Sequence, residues 1–251
     1  MSGQWLVSQK PSPDSECQLF CFPYAGGSAG VYHRWPRLAP RRIQVSGVEL
    51  PGRGMRFGEE AYRSLPTLVR HLADLMEPLL DRPFAFFGHS MGGLVAFELA
   101  RTLRERRAPM PQHLFISAAA APGTRSSRRP LCSATDEEVI EELRSLGGTP
   151  QVLLDDKELM AMVVNTLRAD YTALGTYQYR EAKPLDVPFT VFGGRSDDIA
   201  PPADLRGWQA LTASGCQVRL FPGDHFFLHA AAAEILRTVA DAVAPPRSVA
   251  V

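Results

Sequence analysis

The stretch Phe84-Ala85-Phe86-Phe87-Gly88-His89-Ser90-Met91-Gly92-Gly93 decides the fold. Its opening apolar run, Phe84 to Phe87, predicts a strand covered on both faces. From Met91 to Ala100 the chain is apolar nearly all round and turns polar at Arg101, which predicts a buried central helix. Between the two stands a Gly-x-Ser-x-Gly turn, so tight that small residues are needed two before and two after the serine. Gly88 and Gly92 supply them. Such a turn lifts the serine hydroxyl above the sheet edge, over a helix N-terminus that favours developing negative charge. Ser90 is the candidate nucleophile.

Working outward, further strands are predicted at Cys17–Phe22, Ile43–Leu50, His113–Ser117, Val187–Phe192 and Cys216–Phe221. Helical patterns alternate with them: Leu65, Leu68, Leu72, Leu75, Met76 and Leu79 form one apolar stripe, and Ile235, Val239 and Val243 another. That alternation predicts one α/β domain over residues 1–251, a mostly parallel sheet with helices on both faces. One segment breaks the rhythm. The insertion at about 121–183 is far longer than a crossover needs. It starts with a basic loop (Arg125, Arg128, Arg129) and then a capping box, Thr135 with Glu138, opening a helix that stops at Gly147-Gly148. A second helix, about Lys157 to Ala169, is apolar around most of its circumference, so the pair is expected to form a lid over an apolar channel. Leu159, Met160 and Val163 are the candidate residues lining that channel.

Composition narrows the function classes. Lys and Arg number 27 and so do Asp and Glu; a neutral chain lacks the basic excess of a nucleic-acid-binding protein. Cys17, Cys21, Cys132 and Cys216 include no CxxC and no clustered histidines, so neither a metal site nor a disulfide scaffold is expected. No cofactor is implied. Met1 to Ser12 lacks a signal-peptide core, and no apolar run is long enough to span a membrane. A soluble, cytoplasmic protein is expected, with no membrane partner, and as a monomer.

A serine nucleophile needs a base, and the base an orienting acid, in the chain order Ser, acid, His. The strand ending at Phe192 runs into Gly193-Gly194-Arg195-Ser196-Asp197-Asp198, and the one ending at Phe221 into Pro222-Gly223-Asp224-His225. His225 is the predicted base. His89 sits inside the elbow, pointing away from the hydroxyl, and His229 is read as already entering the last helix. Asp197, closing the turn after the diglycine, is preferred to its neighbour Asp198 as the acid. The oxyanion needs backbone donors, and the assignments are the N–H groups of Met91, directly after the nucleophile, and of Ala25 in the Gly-rich loop after the strand Cys17–Phe22. That loop, with Glu49 ending the next strand, imitates a dinucleotide fingerprint. Its glycines (Gly26, Gly27, Gly30) have the wrong spacing.

The segments Phe22-Pro23-Tyr24-Ala25-Gly26-Gly27-Ser28, Leu50-Pro51-Gly52-Arg53-Gly54 with Arg56, Pro83 to Gly93, Gly147-Gly148-Thr149-Pro150, Leu167-Arg168-Ala169-Asp170-Tyr171 and Pro222 to Leu228 resemble the stand-alone type II thioesterases of polyketide and nonribosomal peptide assembly lines. Those enzymes are related to the medium-chain acyl-carrier hydrolases of fatty acid synthesis. The resemblance implies an α/β-hydrolase fold with a helical lid, and Ser90, Asp197 and His225 as triad. It implies Ala25 and Met91 as oxyanion hole, and an acyl or peptidyl carrier protein, bearing its acyl group on phosphopantetheine, as partner. The implied role is editing, the removal of aberrant or stalled acyl chains. The alternatives are a medium-chain fatty acyl-carrier hydrolase, an esterase or lipase on small esters, and a non-catalytic scaffold.

Overall fold

A computed structural model describes residues 5–8, 14–124, 134–146 and 156–243. Its strands are β1 (Leu6–Ser8), β2 (Cys17–Phe22), β3 (Ile43–Val48), β4 (Phe84–His89), β5 (Leu114–Ser117), β6 (Phe189–Gly194) and β7 (Cys216–Phe221). They form a seven-stranded sheet in the order β1-β3-β2-β4-β5-β6-β7. All neighbours pair in parallel except β1, which runs antiparallel to β3. The α/β expectation holds; β1 was not legible, being three half-exposed residues whose pairing supplies most of their order.

The apolar strands follow from cover on both sides. Phe20, Phe22, Phe84 and Phe86 enter one core with helices α2 (Leu65–Met76) and α3 (Met91–Arg106). Leu19, Cys21, Ala85 and Phe87 enter the opposite core with Trp35 of the short α1 (Trp35–Leu38) and the C-terminal helix. The period-2 alternation of a strand thus feeds both cores at once. Strand β7, at the sheet edge, instead alternates half-buried and exposed residues. Within α2 the stripe Leu65, Leu68, Leu72 and Met76 is buried, but Leu79 is exposed because the α-helix ends at Met76.

The insertion holds α4 (Asp136–Leu146) and α5 (Lys157–Gly175). The capping box forms reciprocally: Thr135 N–H donates to Glu138 Oε2 at 2.8 Å, and Glu138 N–H to Thr135 Oγ1 at 3.3 Å. Helix α5 runs well past Ala169, because Ala173 continues its buried face onto the main core. Its first half makes a separate apolar cluster of Ala134, Val139, Met160, Val164 and Leu167, with Val163 and Ala25 packed against it. Met160 and Val163 therefore belong to the apolar cluster against which the loop after β2 packs. The side chain of Leu159, the basic loop and Gly147-Gly148 lie outside the described residues.

Candidate active site

The turn at Ser90 is as tight as its sequence implies. Ser90 has φ of 54°, a left-handed conformation that costs a non-glycine residue about 1–3 kcal/mol and marks functional strain. A Cβ on Gly88 would lie 2.0 Å from the Gly92 carbonyl oxygen, and one on Gly92 2.1 Å from that of Phe22. Neither neighbour is a side chain that could move aside, so glycine is obligatory at both positions. Ser90 N–H donates to the Ser117 carbonyl at 2.7 Å, which pins the turn to β5.

Past β6 and β7, two loops converge. His225 Nδ1 lies 2.9 Å from Asp197 Oδ2 and 3.1 Å from Oδ1. Asp197 is 2% exposed. Its Oδ1 also accepts the N–H groups of Ile199 (2.9 Å) and Ala200 (3.0 Å). Asp198 is exposed. Of the two adjacent acids, the one the structure brings to the imidazole is Asp197. The loops can meet because Gly194 has no side chain: a Cβ there would lie 2.3 Å from the Asp224 carbonyl oxygen. Asp224 itself is exposed and accepts the Phe226 N–H at 2.8 Å, making a local turn.

His89, inside the elbow, has a task that sequence reasoning missed. Its Nε2–H donates to the His225 carbonyl at 2.9 Å, and its Nδ1 lies 2.9 Å from Ser117 Oγ. Complete burial drives its pKa far below the ordinary histidine value, which keeps the ring neutral. A carbonyl can only accept, so Nε2 carries the proton and Nδ1 accepts from Ser117 Oγ–H. His89 thereby ties the elbow to the loop of the predicted base. His229, read as entering the last helix, lies in turns before α6 (Ala232–Ala242).

The loop after β2 is fixed along its length. Residues Tyr24 to Gly27 form a turn closed by Gly27 N–H to Tyr24 O at 2.9 Å, with Gly26 at φ of 74°. The buried Tyr32 hydroxyl donates to Phe22 O at 2.7 Å. Glu49 Oε2 accepts Ala29 N–H at 2.7 Å, so the acid that imitates a ribose ligand is a buried brace. Asp170 of α5 accepts Gly26 N–H at 2.7 Å. None of these bonds uses the Ala25 N–H, and Met91 opens α3 beside Ser90. At the end of α3, buried Arg101 pairs with Glu98, Arg104 donates to the carbonyl of Lys183, and exposed Arg106 pairs with Asp74.

Among the described residues, no group of three or more His, Cys, Asp or Glu side chains could hold a metal ion. Nor is any described helix long and apolar enough to cross a membrane.

Comparison with known proteins agrees with this architecture. The thioesterase domain family matches residues 17–243. Gramicidin S biosynthesis protein GrsT of Aneurinibacillus migulanus is 40% identical, covering 93% of this chain and 91% of its own. The medium-chain S-acyl fatty acid synthase thioesterase of Rattus norvegicus is 34% identical, covering 86% and 83%. The solved structure of the type II thioesterase BorB from the borrelidin biosynthetic cluster superposes with a TM-score of 0.87 at 34% identity, covering 96% and 98%. An elbow serine, a histidine–carboxylate pair on the two following loops and a family match over nearly the whole chain lead to one conclusion: this chain belongs to the thioesterase family and is a thioester hydrolase of the α/β-hydrolase fold, similar to the type II enzymes.

Proposed function

We propose that the enzyme hydrolyses acyl groups from the phosphopantetheine arm of acyl or peptidyl carrier proteins, clearing aberrant or stalled chains in polyketide or nonribosomal peptide biosynthesis. The observation that carries this reading is the buried His225–Asp197 pair downstream of an elbow serine, in a chain whose relatives include an antibiotic-biosynthesis protein and a type II thioesterase. In this mechanism Ser90 Oγ attacks the thioester carbonyl while His225 takes the hydroxyl proton. Asp197 holds the imidazole with Nδ1–H toward its carboxylate, leaving Nε2 as the base. The N–H groups of Ala25 and Met91 stabilise the oxyanion. The tetrahedral intermediate collapses with loss of the pantetheine sulfur, which receives the proton from His225. Water, activated by the same histidine, then releases the acid and restores Ser90. A thiolate is a good leaving group, so the site needs no strong general acid.

Helices α4 and α5 act as the lid in this reading. The acyl chain lies beside Met160 and Val163, whose cluster touches Ala25. The chain functions as a single domain with the lid over about 121–183. The rat relative supports a second reading, in which the acyl group is a medium-length fatty chain. Mass spectrometry of carrier proteins loaded with different acyl groups, with free acyl esters as controls, tests both. Release from carriers bearing short or aberrant acyl units supports editing. Release only of medium fatty chains supports the second reading, and turnover of free esters alone rejects both.

A further inference from the structure

We propose that Asp170 is a positioning residue for the oxyanion hole: its carboxylate, held by Arg53, fixes the Ala25–Gly26 peptide and thereby aims the Ala25 N–H. The inference rests on the reading of Ala25 as an oxyanion donor and deepens it. Arg53 and Asp170 stand 117 positions apart and meet in a two-pronged pair, Nη1 to Oδ2 at 2.7 Å and Nη2 to Oδ1 at 2.8 Å. Their side chains are 5% and 4% exposed. Gly26 N–H donates to the same Oδ2 at 2.7 Å. The Arg53 guanidinium also reaches the carbonyls of Gly27 (3.4 Å) and Pro51 (3.3 Å).

A helix needs no buried ion pair merely to stay docked, because burying two charges returns little net stability even when they are well paired. Apolar contacts already hold α5 here: Leu167 Cδ2 would lie 2.8 Å from a Cβ on Gly26, and Ala173 sits in the main core. What the carboxylate adds is direction. It accepts a backbone N–H in the turn that carries the candidate donor, and a charged acceptor makes a shorter, stronger and more oriented bond than a neutral one. With the Ala25–Gly26 peptide plane held at its N–H, and Gly27 N–H tied to Tyr24, rotation of the Ala25 residue is restricted from both sides. A preorganised donor of this kind costs no rearrangement when charge develops. The same helix carries Met160 and Val163, so displacing α5 would shift the anchor of Gly26 as well.

Two double variants separate positioning from docking. Arg53→Met/Asp170→Leu removes the ion pair and the Gly26 acceptor; Arg53→Met/Asp170→Asn removes the ion pair but keeps an acceptor of similar volume. On a short acyl-pantetheine thioester, the Leu variant should lose about 10- to 100-fold in kcat, up to the range seen when an oxyanion donor is removed. Its KM should stay within about threefold and the histidine limb of its pH profile should not move. The Asn variant should recover most of that kcat at a matching Tm. Equal kcat in the two, or a loss confined to KM, overturns the proposal. Should the Leu variant fail to fold, hydrogen exchange in the wild-type enzyme decides. A Gly26 amide protected together with the amides of α5 supports the anchor, and a freely exchanging one refutes it. Ser90→Ala is assayed alongside. If it retains turnover, the underlying site reading fails and the proposal with it; if it is inactive while the doubles are equal, only the role of Asp170 fails.

Discussion

Asp197→Asn offers the sharpest test of the site, because the structure dictates which way the new amide must point. Oδ1 of Asp197 accepts two backbone N–H groups, from Ile199 and Ala200. In the asparagine variant the carbonyl oxygen must stay there, since turning the NH₂ toward two N–H donors would leave three donors facing one another in a buried site. The amide NH₂ then takes the position of Oδ2, 2.9 Å from His225 Nδ1. A donor at that position forces Nδ1 to accept, so the ring proton moves to Nε2 and the imidazole can no longer take a proton from Ser90. The fold barely changes, because volume and the two backbone hydrogen bonds are kept and the third is retained with its direction reversed. Loss of the correct tautomer costs about 10⁴-fold in kcat, about 5 kcal/mol of transition-state stabilisation at 1.36 kcal/mol per decade. Asp198→Asn, at an exposed position, should stay within about twofold. The assay is thiol release from a short acyl-pantetheine thioester, with Tm followed in parallel. An Asp197→Asn enzyme retaining a tenth of wild-type kcat, or an Asp198→Asn enzyme equally impaired, would refute the reasoning.

Other expectations follow from the same geometry. Ser90→Ala should abolish turnover with little change in Tm, while Ser90→Gly should also be inactive yet more stable than Ser90→Ala by about 1 kcal/mol, because glycine relieves the positive φ; denaturant unfolding measures the difference. His89→Phe should lower kcat at least tenfold by leaving the His225 carbonyl and Ser117 hydroxyl unpaired, and a variant with unchanged kinetics would show that the tie is dispensable. Burial pushes the His113 pKa down to about 4, so the unfolded chain binds a proton below pH 6.5 that the folded one does not accept until about pH 4. Stability should therefore decline as pH falls through that window, and His113→Gln should flatten the slope of Tm against pH; an unaltered slope would assign it to other groups such as the buried His89. Val163→Asp, in the cluster against Ala25, should change the preference among acyl chain lengths more than Tm, as measured across a thioester series.

The sequence alone determined whatever is local. A buried strand, an obligatory Gly-x-Ser-x-Gly turn and an apolar helix are contiguous, so the sterics of a few residues dictate them; the predicted bounds of β2 and β7 coincide with the observed ones for the same reason. The acid and base were legible because they follow strands in a fixed chain order. Asp197 was preferred to Asp198 from its place after the diglycine, but adjacent side chains diverge and only packing shows that it is Asp197 that turns inward to His225. The same holds for His89, whose partner carbonyl lies 136 residues away. Arg53 and Asp170 each stand in a segment that carries the family resemblance, but nothing local to either announces the other. Their pairing on the Gly26 N–H arises only when α5 folds back over the loop after β2. Strand β1 is the converse case: three residues with no internal reason to extend become a strand because β3 offers an open edge. Hydrogen bonds between distant segments depend on the closed fold to bring donor and acceptor together, and for that reason the anchoring of this site could not be read along the chain.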